Sequence, residues 1–477
     1  MRTVLAFDFD NSIGKAFIGQ FDGKKIRYEE LKRIKVEPII DNKRLYWDYF
    51  SLIEEIKRTI TECDNIDSLA FDTWGRDYGL LVERDYLMRQ PFVCSSSITK
   101  HIPQKYIRHL SQEELYRATG IGFMSTSTLF QLMVEKGKAL DSKNILFMSD
   151  LFAWALCGNR TVDRTIASTS QLVNPLTGDW YYNITLLTPF RFLFFPEIVD
   201  PGTICGYYNG IAVTKVAGHN VQSAIAAMPC KEKEEAAFLV DGASPVIGCE
   251  LDNPVLTKTS LEAGLFNEIG ANRKFNYLKN VRGICLIRDM WKCLHANGRE
   301  YSYDGLVQIA KEASACRCFI DLDAPEFLET DHILERIKRY CAKTNQITPK
   351  TDGMFVRCVY DSLAMKYRYA VEQIQNITGK KFNVFYVLGE CAADDLLCQT
   401  MADVLGVPVI AGPAEAAAIG NILLQLIALQ AIADVGDGRR IIRKSEKQIM
   451  YHPQNSNLYN EKYQQFCDIL HIPSPML

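Results

Sequence analysis

Two copies of one pattern, about half the 477-residue chain apart, limit what this sequence can fold into more than any other feature. Near the start, Val4-Leu5-Ala6-Phe7 runs into Asp8, then Phe9-Asp10-Asn11-Ser12-Ile13-Gly14-Lys15, then the apolar stretch Ala16-Phe17-Ile18-Gly19. In the second half, Ala236 to Val240 runs into Asp241-Gly242-Ala243-Ser244, and Val246-Ile247-Gly248-Cys249 follows. Each reads as strand, tight turn, strand. A repeat at this spacing predicts a duplicated architecture in which a hairpin opens each half. The chain is too long for one ordinary core, which points the same way. The charged stretch Pro229-Cys230-Lys231-Glu232-Lys233-Glu234-Glu235 reads as an exposed connection, dividing the chain into domains 1–230 and 231–477.

Between the hairpins, strand and helix signals alternate. Lys25 to Val36 reads as a strand pair. Tyr49 to Glu62 carries Leu52, Ile53, Ile56 and Ile60 at helical spacing. Ile66 to Phe71 reads as a buried strand ending at Asp72-Thr73-Trp74-Gly75-Arg76-Asp77, and the polar end of such a strand is where α/β proteins place ligands. Ser111 and Glu114 form a capping signature, and Thr126 to Glu135 is a further helix. In the second half, helices are expected around Lys279 to Leu294 and Gly353 to Ile377, with a strand over Phe382 to Leu388. The apolar region Ala411 to Leu429 is interrupted by Glu415, Asn421 and Gln425, so it reads as a buried helix and not as a membrane span.

A net charge of -3 argues against nucleic acid or an anionic membrane as partner, since either usually demands a basic face. The basic run Gly438-Arg439-Arg440-Ile441-Ile442-Arg443-Lys444 is flanked by Asp434, Asp437 and Glu446 and reads as solvated surface. Met1-Arg2-Thr3 leads straight into a strand, without the pattern of a secretory leader, so a cytoplasmic location is expected. Fifteen cysteines, scattered and without a C-x-x-C pair, read as free thiols in a reducing compartment.

The stretch Asp72-Thr73-Trp74-Gly75-Arg76-Asp77-Tyr78 resembles one found in the rhamnulokinase branch of the FGGY family of carbohydrate kinases. Further segments follow in the family's order: Thr119-Gly120-Ile121, Thr128 to Leu132, Ser170 to Asn174, Asn267-Glu268, Leu278-Lys279-Asn280, Asp361 to Ala364, Ile410 to Glu415 and Gly420-Asn421. Any one is weak, but their colinearity is not. The resemblance implies an α/β, two-domain actin-like ATPase fold of the ribonuclease H-like, hexokinase and actin superfamily, with a central cleft. It also implies ATP and Mg²⁺ as cofactors and a small-molecule sugar as partner; the assembly, a homodimer among the options, is left open by the sequence. By position, it makes Asp8 the metal ligand, and Asp8 with Lys15 catalytic. Asp72, Thr73, Trp74, Asp77 and His219 become sugar contacts, and Ser12, Gly14, Gly242, Ala243, Gly389 and Asp394 nucleotide contacts.

Several of these parts depart from the family pattern. The first hairpin has Asp10 where the family has a glycine, which brings a second negative charge to a phosphate loop. Gly218-His219-Asn220-Val221-Gln222-Ser223-Ala224 matches the segment of the catalytic base, with Asn220 in the base's position. An amide nitrogen cannot take a proton at neutral pH, so a term worth about 10²- to 10⁴-fold in rate is lost. The second hairpin has Ala243 for threonine, and the adenine turn reads Gly389-Glu390-Cys391 where glycines are expected. After Gln90-Pro91-Phe92-Val93, the sugar-reading arginine–aspartate pair is replaced by Cys94-Ser95-Ser96-Ser97-Ile98. The expectation is therefore a family member with weak ATP binding and impaired turnover. The alternatives are an active sugar kinase with unusual ATP-site chemistry and a ligand-binding or scaffold pseudokinase.

Overall fold

The computed structural model describes residues 1–82, 86–94, 99, 102, 110–242, 244–327 and 331–473. The chain divides into two compact units, and both are discontinuous. The first comprises Met1–Glu232, Glu250–Leu278 and Glu415–Lys447; the second comprises Lys233–Cys249, Lys279–Ala414 and Gln448–Leu477.

The first unit is built on a six-stranded sheet. Its strands are β1 (Arg2–Phe9), β2 (Ile13–Phe21), β3 (Ile26–Lys35), β4 (Ser68–Asp72), β5 (Thr203–Tyr208) and β6 (Ile211–Lys215). The spatial order is β5-β6-β4-β1-β2-β3. β1 and β2 form the hairpin with Asp8 opposite Lys15. β1 runs parallel to β4, with Asp8 opposite Asp72, and β4 runs parallel to β6. The central strands thus end at one edge, where Asp8 and Asp72 sit side by side. Lys25 to Val36 is one long strand paired with β2 and not a strand pair.

Alternation along β1 sorts its side chains onto two faces. Leu5, Phe7 and Phe9 belong to a core with Leu52 and Ile56 of the helix Tyr49–Thr61 and Phe152 of the helix Met148–Cys157. Val4 and Ala6 belong to a second core with Ile419, Ile422, Leu423 and Leu426 of the helix Ala416–Ala428. That helix was legible as apolar and buried, and its polar interruptions face the sheet. Gln425 donates to the Leu5 carbonyl at 3.1 Å, and Asn421 donates to Asp72 at 2.7 Å.

The basic run does not behave as solvated surface throughout. Arg439 is buried and pairs with Glu250 through two hydrogen bonds, at 2.7 and 3.0 Å. Arg443 donates to the Pro229 carbonyl, so the first residues of the expected exposed connection are held, and Cys230 is buried.

In the second unit β7 (Ala236–Val240) and β8 (Val246–Leu251) form the second hairpin. β7 runs parallel to β9 (Val384–Leu388), which runs parallel to β10 (Val409–Ala411), and β11 (Ile449–Tyr451) closes antiparallel. The hairpin strand paired in parallel with a later strand repeats the plan of β1, β2 and β4, with Val240 opposite Leu388. The helix expected from Lys279 instead spans Cys285–Ala296, because Phe275–Asn280 is a strand. No helix among the described residues is long and apolar enough to cross a membrane.

Candidate functional site

In the first unit the polar residues converge on the ends of β1, β4 and β6. Asp8 is half-buried; burial raises its carboxyl to about 6, and the neighbouring Glu415 and Asp10 act the same way. Asp72 is fully buried, and burial together with Asp8 lifts its carboxyl well above the ordinary range. Asn421 holds one oxygen of Asp72 at 2.7 Å, while the other has no hydrogen-bond partner. The charge of Asp8 disfavours the ionised form of Asp72 beside it. Lys15 lies on the neighbouring strand, but both oxygens of Glu415 accept from its ammonium at 3.0 Å.

The turn of the first hairpin closes on itself. The Asp10 carboxylate accepts from the Ser12 N–H at 2.6 Å, the Ser12 hydroxyl at 2.7 Å and the Ile13 N–H at 2.7 Å. These donors are therefore taken by an anion belonging to the chain itself. A Cβ on Gly14 would stand 2.3 Å from the Phe9 ring, so the residue permits close packing.

Thr73 ties β4 to the next segment. Its N–H donates to the Gly218 carbonyl at 2.9 Å, and its own carbonyl accepts from the Asn220 N–H at 2.9 Å. Asn220 opens the helix Asn220–Ala226, and its side-chain amide donates to the Phe9 carbonyl at 3.3 Å. A carboxylate could not make that bond. His219 Nδ1 lies 3.0 Å from Glu268, which also accepts from Gln222 at 2.7 Å. Burial acts to raise the Glu268 carboxyl, but His219 and Arg76 outweigh it and hold the group below the usual range.

Trp74 and Asp77 form a second cluster. The indoles of Trp47 and Trp74 lie 4.5 Å apart between centroids, and both donate to the same oxygen of Asp77, at 2.6 and 3.0 Å. The other oxygen of Asp77 is buried, and the Cys94 backbone also donates to the carboxyl. Burial raises its carboxyl to about 6, against those donors. Arg76 adopts a left-handed backbone (φ 77°), which a non-glycine residue rarely holds without a reason in its surroundings. Its charge acts on both Asp77 and Glu268. Sequence reasoning passed over Arg76, Glu268 and Asn421 as site residues, although Glu268 and Asn421 stand inside the colinear segments.

In the second unit Asp241, at the start of the corresponding turn, is tied to a neighbouring loop. Asp241 donates its N–H to Leu388 at 2.9 Å, and its carboxylate accepts from the Cys391 N–H at 3.2 Å. Burial raises the carboxyl to about 6, and Arg288 opposes this. Arg288 also lies 3.4 Å from Glu390, so the negative charge expected of this loop is partly neutralised. Gly389 has φ 92°, and a Cβ there would meet the Asp241 carbonyl at 2.8 Å; only glycine fits. Gly242 is exposed with open space around it. Asp394 caps the helix Asp395–Leu405 through the Leu397 N–H at 2.9 Å and accepts from Tyr360 and Tyr303. It is buried, and its oxygens are engaged within the unit. Ala243 and Ser95 to Ile98 lie outside the described residues.

Comparison with known proteins agrees with this frame. The N-terminal domain profile of the FGGY family of carbohydrate kinases matches residues 25–228, and the C-terminal domain profile matches 237–429. A rhamnulokinase of Bacteroides thetaiotaomicron is 31% identical over 98% of this chain and 99% of its own. One from Enterococcus faecalis is 30% identical over 98% of this chain and 97% of its own. Among solved structures, a ligand-bound xylulose kinase from Lactobacillus acidophilus superposes with a TM-score of 0.80 at 14% identity, covering 99% of this chain and 98% of that one. Plasmodium falciparum glycerol kinase with ADP gives 0.79 at 13%, with 99% and 98% covered. At these identities the structural likeness speaks to the fold, which is that of the actin-like ATPases.

Proposed function

The chain belongs to the FGGY family of carbohydrate kinases, and from that premise we propose that it binds a ketose such as L-rhamnulose and is impaired in ATP-dependent phosphorylation of it. The observation that carries the impairment is the Asp10 carboxylate, which accepts from both Ser12 and Ile13 N–H groups. A phosphate must displace it while adding its own negative charge. The Asn220 amide supports the same reading, since it cannot take a proton and is tied to Phe9.

The cofactors differ in fit. The Asp8 and Asp72 carboxyls, with one oxygen of Asp72 unpartnered, suit a hydrated Mg²⁺, with Asp8 as its ligand. A cation there would ionise the pair and supply charge neutralisation to phosphate oxygens. The closed first hairpin does not suit the phosphates of ATP. On the sugar side, the half-buried Trp74 offers a ring face, Asp77 offers an oxygen acceptor, and the His219–Glu268 pair offers a polar edge. Thr73 and Asp72 hold these in register.

Calorimetric titrations with L-rhamnulose and with Mg-ATP test the reading, alongside a coupled transfer assay. The expected result is sugar binding with weak nucleotide binding and little turnover. Low-micromolar Mg-ATP affinity with turnover of about 1 s⁻¹ or more would sink it. The retained Asp8–Asp72 pair favours a second reading, an active kinase with unusual ATP-site chemistry, and that outcome would establish it.

A further inference from the structure

Cys318, Cys341 and Cys358 come from three separate segments of the second unit, yet their sulfur atoms all lie within 4.8 Å of one another. Cys341 sits on the helix Ile333–Lys343 and Cys358 on the helix Asp352–Thr378. Cys318 lies between helices, in a stretch with no regular secondary structure that is nevertheless buried at Cys316, Cys318, Phe319, Ile320 and Leu322. Side chains of the surrounding segments satisfy that stretch: Asp361 accepts from the Cys316 N–H at 2.6 Å, Gln346 from Phe319 at 2.7 Å and Ser362 from Ile320 at 2.9 Å. The irregular backbone is thus held so that the Cys318 sulfur meets the other two.

We propose that Cys318, Cys341 and Cys358 form a trigonal thiolate site for a soft, thiophilic metal ion of the Cu(I) type, separate from the sugar and nucleotide residues. Metal–sulfur bonds of about 2.3 Å in a plane require sulfurs about 4 Å apart. Sulfurs already within 4.8 Å reach that spacing through small side-chain adjustments. Three sulfurs, with no His or carboxylate oxygen grouped with them among the described residues, select a soft ion over Mg²⁺ or Ca²⁺ and lack the fourth ligand of a closed zinc site. All three are at most 2% exposed, so the ion would be shielded from water and from exchange. Each thiol that ligates releases its proton to solvent, and no electron is transferred. Bound there, the ion would pin the irregular stretch to both helices.

The test uses the reduced full-length protein, with Cu(I) supplied from a competing chelator that suppresses binding by isolated thiols. One equivalent of Cu(I) should be retained per chain, with three sulfur neighbours at the copper X-ray absorption edge and a raised melting temperature. C341S and C358S should each lose that equivalent, while C467S keeps it. Retention of the equivalent by C341S, a two-sulfur or oxygen environment, or no retained copper would each overturn the proposal. The absorption measurement needs only the wild-type protein, so it decides the matter even where a variant fails to fold. A disulfide among the three in the reduced protein, found by mass spectrometry, would also overturn it.

Discussion

Asp10 illustrates how one side chain sets the behaviour of a turn. Asp10→Gly releases the Ser12 and Ile13 N–H groups and removes a charge. Two unit charges about 4 Å apart repel by about 4 kcal/mol at an effective dielectric near 20, before screening. Mg-ATP should bind at least about tenfold more tightly, since about 1.4 kcal/mol is tenfold. Asp10→Asn removes the charge but keeps an acceptor for the same donors, so its gain should be smaller. Calorimetry on both variants separates the two effects, and equal affinity in wild type and Asp10→Gly would show that the turn is irrelevant to nucleotide. Asn220→Asp alone should stay well below about 1 s⁻¹, because a base acts only on aligned reactants and alignment is the larger share of the barrier. Asp77 gives a pH prediction. Its folded carboxyl is raised to about 6, so the stability it contributes is present in acid and lost as pH rises through that value. Asp77→Asn removes this dependence. Between about pH 4.5 and 7.5, wild type should lose about 2 kcal/mol relative to the variant in urea unfolding, since each tenfold gain in proton affinity on folding is worth about 1.4 kcal/mol.

At the scale of elements, the helix Ala416–Ala428 organises the end of the sheet. It carries Asn421 to Asp72, and Glu415 at its N-terminus reaches Lys15. It packs so closely on the helix Asn220–Ala226 that a Cβ on Gly420 would stand 1.8 Å from the Ser223 carbonyl oxygen. Backbone on the far side cannot rotate away, so Gly420→Ala should cost about 3 kcal/mol, the upper end for overpacking. A denaturation midpoint equal to wild type would refute the close approach. The buried Arg439–Glu250 pair gives a second expectation. Arg439→Met leaves the largely buried Glu250 carboxylate with Asn272 as a remaining donor and should cost about 3 kcal/mol at neutral pH, the lower end for a broken buried pair. Arg439 and the other partners now outweigh burial and hold Glu250 below the usual range, so the variant's deficit should shrink as acid protonates it. A deficit constant from about pH 7 to pH 4 would point to lost packing instead.

For the whole molecule, the discontinuity of the units has a direct consequence. A fragment ending at Glu232 matches the first half of the sequence but lacks residues 250–278 and 415–447 of the first unit. It would leave Val4, Ala6, Phe17 and Ala70 without the helix that covers them, and Arg439 would be missing from beside Ala226. Such a fragment should show no cooperative unfolding, whereas the full chain should. A sharp thermal transition of the fragment, with native-like protection of β1 from hydrogen exchange, would contradict the division.

Much of this fold is written locally. Both hairpins, the helix over Tyr49–Thr61 and the capping box at Ser111 follow from alternation, helical spacing and side chains that bond their own backbone. The family resemblance rests on colinear short segments, and a separate match over Gly218 to Ala224 led to the expectation of Asn220 at the position of the base. Other features depend on residues far apart in sequence. Lys25 to Val36 is a single strand because β2 offers one edge to pair with, and the helix after Leu278 starts late because Phe275–Asn280 is taken into a strand. Arg439 looked like surface charge until Glu250, 189 residues away, supplied a buried partner. Three cysteines with no recognisable spacing became neighbours only once two helices and an irregular stretch had packed. Local sequence determines where strands, turns and caps form, because those depend on neighbours along the chain. Which polar groups end up buried together depends on low-dielectric contacts that exist only after long-range packing, whereas the Asp10 turn closes through bonds to its own neighbours Ser12 and Ile13.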